Sequence, residues 1–330
     1  MSEETPTASH LFDVMTTDQG DMTATTGKNG VTSSSSSHDG GVSYFESLVL
    51  VIGIIGTAAN GLILYALVAS KQHKKQALIF HQNAIDLYGC VILVITYGLL
   101  LSKIRPSGSL GKWLCTFLLN GALLQFGTFA SSANLMMISI ERYLKVVHSA
   151  WSKTKLRKWM TYAAMACAWI SGIPHVMVMM VKYSVVIDGV CYGYEVASHE
   201  VKVVFSIYYF LFTYLFMLAI SSFCYGKILM VIRRQARVMA SHNPGGSNAA
   251  QAQSNQIQTN VIKTMIFVCA FCAIAWLPEK LFTLLIFSES MASNLTFAYN
   301  AYYVSTFLGF LYICAKLTII ATRRCLNVVS

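Results

Sequence analysis

The residues best suited to chemistry in this chain are few and lie inside apolar surroundings. Glu141-Arg142-Tyr143 sets an acid, a cation and a phenol in succession at the end of an apolar run. An arginine there is a permanent charge with five donors in a rigid fork, suited to gripping one acceptor and exchanging it for another. Asp86 lies in the middle of the apolar stretch 77–101 and Asn60 in the one before it. An ionisable group in such a stretch is costly and is a functional hypothesis by default. Trp276-Leu277-Pro278 puts an indole just ahead of a proline, which removes a backbone donor and kinks a helix. No metal-ligand spacing, nucleophile–base set or phosphate-binding loop accompanies these residues. An enzyme therefore has no support, and neither a metal nor a cofactor is expected.

The elements that hold these residues follow from composition. Of 330 residues, 55% are hydrophobic and 12% charged, with a mean hydropathy of +0.55. A soluble domain carries roughly 25% charged residues, so a soluble two-domain enzyme is disfavoured. Seven apolar stretches reach the about 20 residues that a bilayer needs. They run over 47–69, 77–101, 113–140, 159–181, 203–232, 261–287 and 299–321. The expected class is all-α and integral to the membrane, a bundle of seven transmembrane helices.

Charge orients the bundle. Residues 1–46 are rich in Ser, Thr and Gly, hold seven acids and one base, and read as a disordered acidic tail. No apolar run follows a basic start, so they do not read as a cleavable signal peptide. With this tail outside, the cytoplasmic loops and span ends collect 17 of the 24 Lys and Arg residues, among them Lys74, Arg142, Lys145, Arg233 and Arg324. Basic loops remain on the cytoplasmic side, which sets the amino terminus outside and the carboxyl terminus inside. The helical domain is then 47–321 and the cytoplasmic tail 322–330. The bases are spread over loops rather than gathered with aromatics on one face, so nucleic acid is not a partner; the lipid bilayer is. Cys115, at the outer end of the third stretch, and Cys191, in the next outer loop, both face the oxidising side, where a disulfide is expected. Asn294-Leu295-Thr296 is an extracellular glycosylation sequon. Cys325, beside Arg323 and Arg324, is either palmitoylated or a plain thiol.

Seven spans, Gly56-x-x-x-Asn60, Asp86, Glu141-Arg142-Tyr143, Trp169, Tyr225 and Trp276-x-Pro278, in that order, resemble the rhodopsin-like (class A) G-protein-coupled receptors. The resemblance covers about residues 47–315 and includes the extracellular Cys115–Cys191 pair. Within that family, the stretch His81 to Asp86 and the run from Tyr143 to His148 look most like invertebrate orphan receptors of the peptide-receptor type. It implies a plasma-membrane receptor that passes an extracellular signal to heterotrimeric G proteins. Glu141, Arg142, Tyr143 and Tyr225 are then the coupling residues, with Glu141 holding Arg142 at rest. Trp276 and Pro278 form the activation switch. Asn60, Asp86, Ser131 and Lys316 make the buried polar network, while His81, Asn134 and Trp169 form a cluster joining three helices.

Departures from the family pattern matter as much. Residues 256–263 contain no acid to lock Arg142, which implies basal signalling. The Asn-Pro-x-x-Tyr motif of the seventh helix is missing, and Lys316 falls where its Asn is expected. Two readings stand: Lys316 pairs with Asp86 and replaces the family's sodium ion, or the residues after Cys314 come from an alternative splice or a mis-joined exon. Met217 replaces a proline in the fifth span. Cys115 precedes Arg142 by two positions more than usual, which displaces the outer end of the third helix. Leu124 stands where amine receptors keep a carboxylate, and Phe310 where opsins keep the retinal lysine, so neither ligand is expected. Gln125, His175, Tyr299, Tyr302 and Tyr303, with Glu279 and Lys280 at the same mouth, suit a peptide or small polar ligand. The competing functions are a signalling-impaired receptor variant with an altered seventh helix and a membrane transporter. The chain shows neither repeated halves nor broken helices with paired charges, the marks of a transporter.

Overall fold

A computed structural model describes residues 36–71, 73, 76–176, 184–187, 189–193, 199–242, 249–287, 301 and 303–314. The expectations for residues 1–35, Asn294, Tyr299, Tyr302, Lys316, Cys325 and the carboxyl-terminal tail lie outside the described residues. Helices α1 (Ser36–Ala69), α2 (Ala77–Leu101), α3 (Gly108–Leu114), α4 (Ala122–Val147), α5 (Ser149–Lys155), α6 (Lys158–Ile170) and α7 (Ile173–His175) lead to a hairpin. That hairpin joins strands β1 (Ser184–Ile187) and β2 (Val190–Gly193). Helices α8 (His199–Tyr209), α9 (Phe216–His242), α10 (Ala249–Phe287) and α11 (Tyr303–Cys314) follow.

The architecture is helical because long apolar stretches satisfy their backbone groups within each helix, as a hydrocarbon environment demands. Among the described residues, five helical stretches are long and apolar enough to cross a membrane: Tyr44–Ala69, Ala77–Leu101, Gly108–Val147, Val203–Gln235 and Ile262–Leu285. At the fourth and seventh expected stretches the described helices are the shorter α6 and α11. Large apolar side chains point outward along the bundle: Leu62 is 69% exposed and Ile274 70%. Such a surface is at home in lipid and a liability in water.

Three details depart from the sequence reading. Helix α1 starts at Ser36, ahead of the expected start at residue 47. Extending an existing helix costs far less than nucleating one, so the apolar core of α1 carries its polar forerun. The antiparallel hairpin, with Val186 opposite Cys191, adds a small sheet to an otherwise all-helical architecture. The third rod is broken rather than shifted. Residues Cys115–Leu119 wind as one π-helical turn, and Gly121 then takes φ +71°, a left-handed conformation open to glycine at no steric cost. The two extra residues between Cys115 and Arg142 are absorbed at this break. A second π-helical segment, Phe210–Leu215, links α8 to α9 just ahead of Met217.

Two apolar clusters fill the interior. Towards the disulfide end, Leu93, Leu124, Trp276, Phe310 and Ile313 pack together. Towards Arg142, Ile138 of α4, Tyr225 and Ile228 of α9, and Ile262 and Met265 of α10 close against one another.

Candidate functional site

At mid-bundle, α2, α4 and α6 are joined by a single hydrogen-bonded chain of side chains. The Trp169 indole donates to His81 Nε2 at 2.9 Å. Indole is a donor only, so Nε2 accepts and the imidazole proton sits on Nδ1. Nδ1 then donates to Asn134 Oδ1 at 3.0 Å. Asn134 Nδ2 donates to Gln82 Oε1 at 2.9 Å and to the Leu78 carbonyl at 3.1 Å. Gln82 Nε2 donates to Asp86 Oδ1 at 3.2 Å and Ser131 Oγ at 2.7 Å, and Ser131 Oγ itself donates to Asp86 Oδ1 at 3.0 Å. Every donor in the chain points towards the Asp86 carboxylate. A family sodium ion would need the oxygens of Asp86 and Ser131. An amide N–H of Gln82 already addresses Asp86 Oδ1 and Ser131 Oγ, so these two oxygens are engaged by a hydrogen-bond donor rather than left open to a cation. Asn60, fully buried, donates to the Gly56 carbonyl at 2.8 Å and approaches Cys90 Sγ at 3.6 Å.

At one end of the bundle Arg142 emerges from α4. Its Nε is buried without a hydrogen-bond partner. Glu141 pairs with Lys145 at 2.7 Å, one turn along the same helix, and not with Arg142. The i, i+4 spacing puts those two side chains on one face, whereas neighbouring residues diverge by 100° or so around a helix. The Tyr143 hydroxyl meets His148 Nε2 at 3.2 Å. Tyr225, 4% exposed, lies in the apolar cluster that includes Ile262 and Met265, so α10 is closed against α4 and α9 at these residues.

A cavity of about 280 Å³ opens further up, between α4, the Phe210–Leu215 segment with α9, and α10. Phe129, Met217, Leu218 and Ile266 supply its apolar walls, Trp276 one side, and Tyr225 and Lys280 mark its two extremes. Pro278 lies inside α10 between Trp276 and Lys280. Tyr214 donates its hydroxyl to the Ala273 carbonyl at 2.9 Å, tying the π-helical segment to α10 near the break in bonding that a proline makes. Trp276 is pressed on its other side by Gly309 of α11: a β-carbon there would stand 2.8 Å from Cζ3. Lys280 is 5% exposed; it donates to the Tyr209 hydroxyl, pairs with Glu279 Oε2 at 2.9 Å, and sits 3.9 Å from the Tyr209 ring centroid. Tyr209 in turn donates to Gln125 Oε1 at 3.3 Å.

The sequence model of the family described as 7 transmembrane receptor (rhodopsin family) matches residues 59–315. The chain belongs to this family. The receptor is 26% identical over 216 residues to free fatty acid receptor 3 of Rattus norvegicus, covering 59% of this chain and 65% of the relative. It is 22% identical over 248 residues to the type-1 angiotensin II receptor of Homo sapiens, covering 72% and 63%. To C-C chemokine receptor type 8 of Mus musculus it is 24% identical over 251 residues, again covering 72% and 63%. The receptor thus spans a little under two thirds of the length of each of these relatives.

The receptor carries the Cys115–Cys191 disulfide, with the two Cα atoms 5.4 Å apart. Asn120, at the break in the third rod, donates to Ser184 Oγ of β1 at 2.8 Å and so helps seat the hairpin there. Of the residues expected at the mouth, Gln125 reaches the cavity only through Tyr209, and Tyr303 faces Phe45 of α1 at 4.5 Å rather than the cavity. His175 ends α7, and nothing is assigned to its side chain. Glu279 and Lys280 are buried rather than rim residues. Gln82 and Tyr209 are site residues that the sequence motifs do not single out. Gln82 carried a usable signal, since it lies one turn before Asp86 on the same face of α2.

Proposed function

We propose that this chain is a plasma-membrane receptor that couples binding of an extracellular ligand, a peptide or small polar molecule, to a heterotrimeric G protein. Seven spans, an amino terminus outside and a carboxyl terminus inside complete the reading. One observation carries it: a single helix, α10, walls a ligand-sized cavity with Trp276 above and closes the Arg142 end with Ile262 and Met265 below, with Pro278 within it. Pockets of this kind start near 300 Å³. A ligand that displaces Trp276 favours the state in which the inner half of α10 swings away from Tyr225 and Ile138. The G protein binds that state better, and the two events become coupled by population shift. Arg142, unheld by Glu141, is then available to an inserted partner segment. Relatives named for a fatty acid, angiotensin II and C-C chemokines are in keeping with a receptor for an extracellular chemical signal.

The absence of an acid in residues 256–263 and the pairing of Glu141 with Lys145 support measurable signalling without ligand. The test is guanine-nucleotide exchange in cells expressing the full chain against a panel of G-protein subtypes, alone and with a peptide library. Arg142→Ala is expected to abolish exchange while surface staining persists. Retained exchange in that variant, or silence of the parent at good surface density across the panel, overturns the reading.

A further inference from the structure

We propose that Lys280 anchors a carboxylate, and that the cavity below it receives the apolar tail attached to that carboxylate. The inference deepens the reading of this cavity as the ligand site and rests on it. A lysine this deep in an apolar helix is expensive unless its charge is used. An ammonium has three donors. The Tyr209 hydroxyl takes one, and Glu279 Oε2 stands beside the ammonium as an ion-pair partner at 2.9 Å. Glu279 does not line the cavity, whereas Lys280 does, so among the described residues Lys280 is the one charged side chain on the cavity wall. Tyr209 takes only one of the three donors, so the ammonium keeps donor capacity at the cavity wall, and a cation on that wall favours an anion over a second cation.

The position of the ammonium is fixed before any ligand arrives. Tyr209 gives its own proton to Gln125 and offers only its oxygen to Lys280. The Tyr209 and Trp276 rings flank the charge at 3.9 and 5.0 Å from their centroids. Below it the wall is mostly apolar, with Ser132, Ser221 and Ser222 among its lining. Thr128 and Thr213 line it but spend their hydroxyl protons on the Leu124 and Tyr209 carbonyls. A volume of about 280 Å³ limits the tail to a short chain or a single side chain. One chemistry meets these conditions, a carboxylate with a compact apolar group, and it has two sources: a free aliphatic acid, or the terminal residue of a peptide with a free carboxyl end.

The test uses the full chain purified into lipid nanodiscs, without G protein, and reads the thermal unfolding midpoint against probe concentration. Octanoate, 1-octanol and octylamine are compared, alongside a tetrapeptide ending in Leu as its free acid and as its amide. Saturable stabilisation by octanoate, absent with octanol and octylamine, supports a free-acid source. Stabilisation by the peptide acid but not its amide supports a peptide source. In either case Lys280→Gln is expected to raise the half-saturating concentration about tenfold or more, the usual effect of losing a charged hydrogen bond, and Lys280→Arg to restore much of it. Stabilisation by octanol equal to that by octanoate, by the amide equal to the acid, or by neither carboxylate overturns the proposal, as does unchanged affinity in a folded Lys280→Gln. If Lys280→Gln does not fold, the comparison of probes on the parent chain decides alone. Because no G protein is present, failure of the coupling reading leaves these binding curves untouched, and failure here leaves ligand-free exchange untouched.

Discussion

Replacing Gly309 with alanine tests whether Trp276 is the element that a ligand moves. The added β-carbon would stand 2.8, 3.0 and 3.1 Å from Cζ3, Cη2 and Cε3 of the indole. Restoring ordinary carbon contact at 3.5–4.0 Å requires the ring to retreat by about 0.7–1.2 Å. α11 is behind the new methyl group and the cavity is in front of the ring, so the retreat is into the cavity. Overpacking of a filled site costs about 1–3 kcal/mol, and here it falls on the arrangement in which Trp276 rests against α11. A cost of that size moves a two-state equilibrium about five- to 150-fold. Gly309→Ala should therefore raise ligand-free nucleotide exchange above the parent at matched surface density, and lower the melting midpoint of the purified receptor. Trp276→Phe removes the benzo-ring atoms that the methyl group meets, so Gly309→Ala in that background should have little effect. Unchanged exchange and melting in Gly309→Ala, or the same increase with Phe at 276, refutes the reasoning.

Three further outcomes follow from the geometry. Asn134→Leu and His81→Leu should each lower stability by about 1–2 kcal/mol in thermal unfolding, and the double variant by less than the sum, because both interrupt one chain; strict additivity would contradict the network. Exchanging sodium for a bulky organic cation should leave affinity for any activating ligand unchanged, since Gln82 occupies the donor position beside Asp86 and Ser131; a clear sodium dependence would show that the amide yields to an ion. Cys115→Ser opens a disulfide spanning 76 residues of sequence. It should destabilise the receptor by roughly 4 kcal/mol on chain-entropy grounds, read as a lower melting midpoint and reduced surface staining.

Much of this arrangement was legible in the sequence, and the reasons differ by residue. Asp86 announced itself because a carboxylate in a long apolar run has no bland explanation. The second stretch, 77–101, coincides with α2 because it is mostly apolar and the few polar residues within it, such as Gln82, Asn83 and Asp86, are buried in the bundle. Cys115 and Cys191 were legible as a pair because charge had already assigned both to one side. Lys280 was not legible as a buried anchor. Its neighbour Glu279 made the two look like exposed rim charges, and only the packing of α8 beside α10 covers them. The hairpin was hidden for a related reason: four-residue strands have too little pattern to stand out from a loop. The breaks at Gly121 and in Phe210–Leu215 reflect backbone winding, which side-chain periodicity reports poorly; the spacing from Cys115 to Arg142 was the one available clue.

The directional chain from Trp169 to Asp86 has a mechanical consequence. Each link fixes the sense of the next, so no amide in it can turn over alone, and with a donor-only indole at one end and an accepting carboxylate at the other the chain has a single sense. It rivets α2, α4 and α6 into a stator. Among the described residues, Ile262 and Met265 of α10 rest on Ile138, Tyr225 and Ile228 through apolar side chains, contacts that do not fix direction as hydrogen bonds do. On the proposed mechanism this makes a fixed frame and one rotor, in which a small displacement at Trp276 turns the rotor rather than straining the frame.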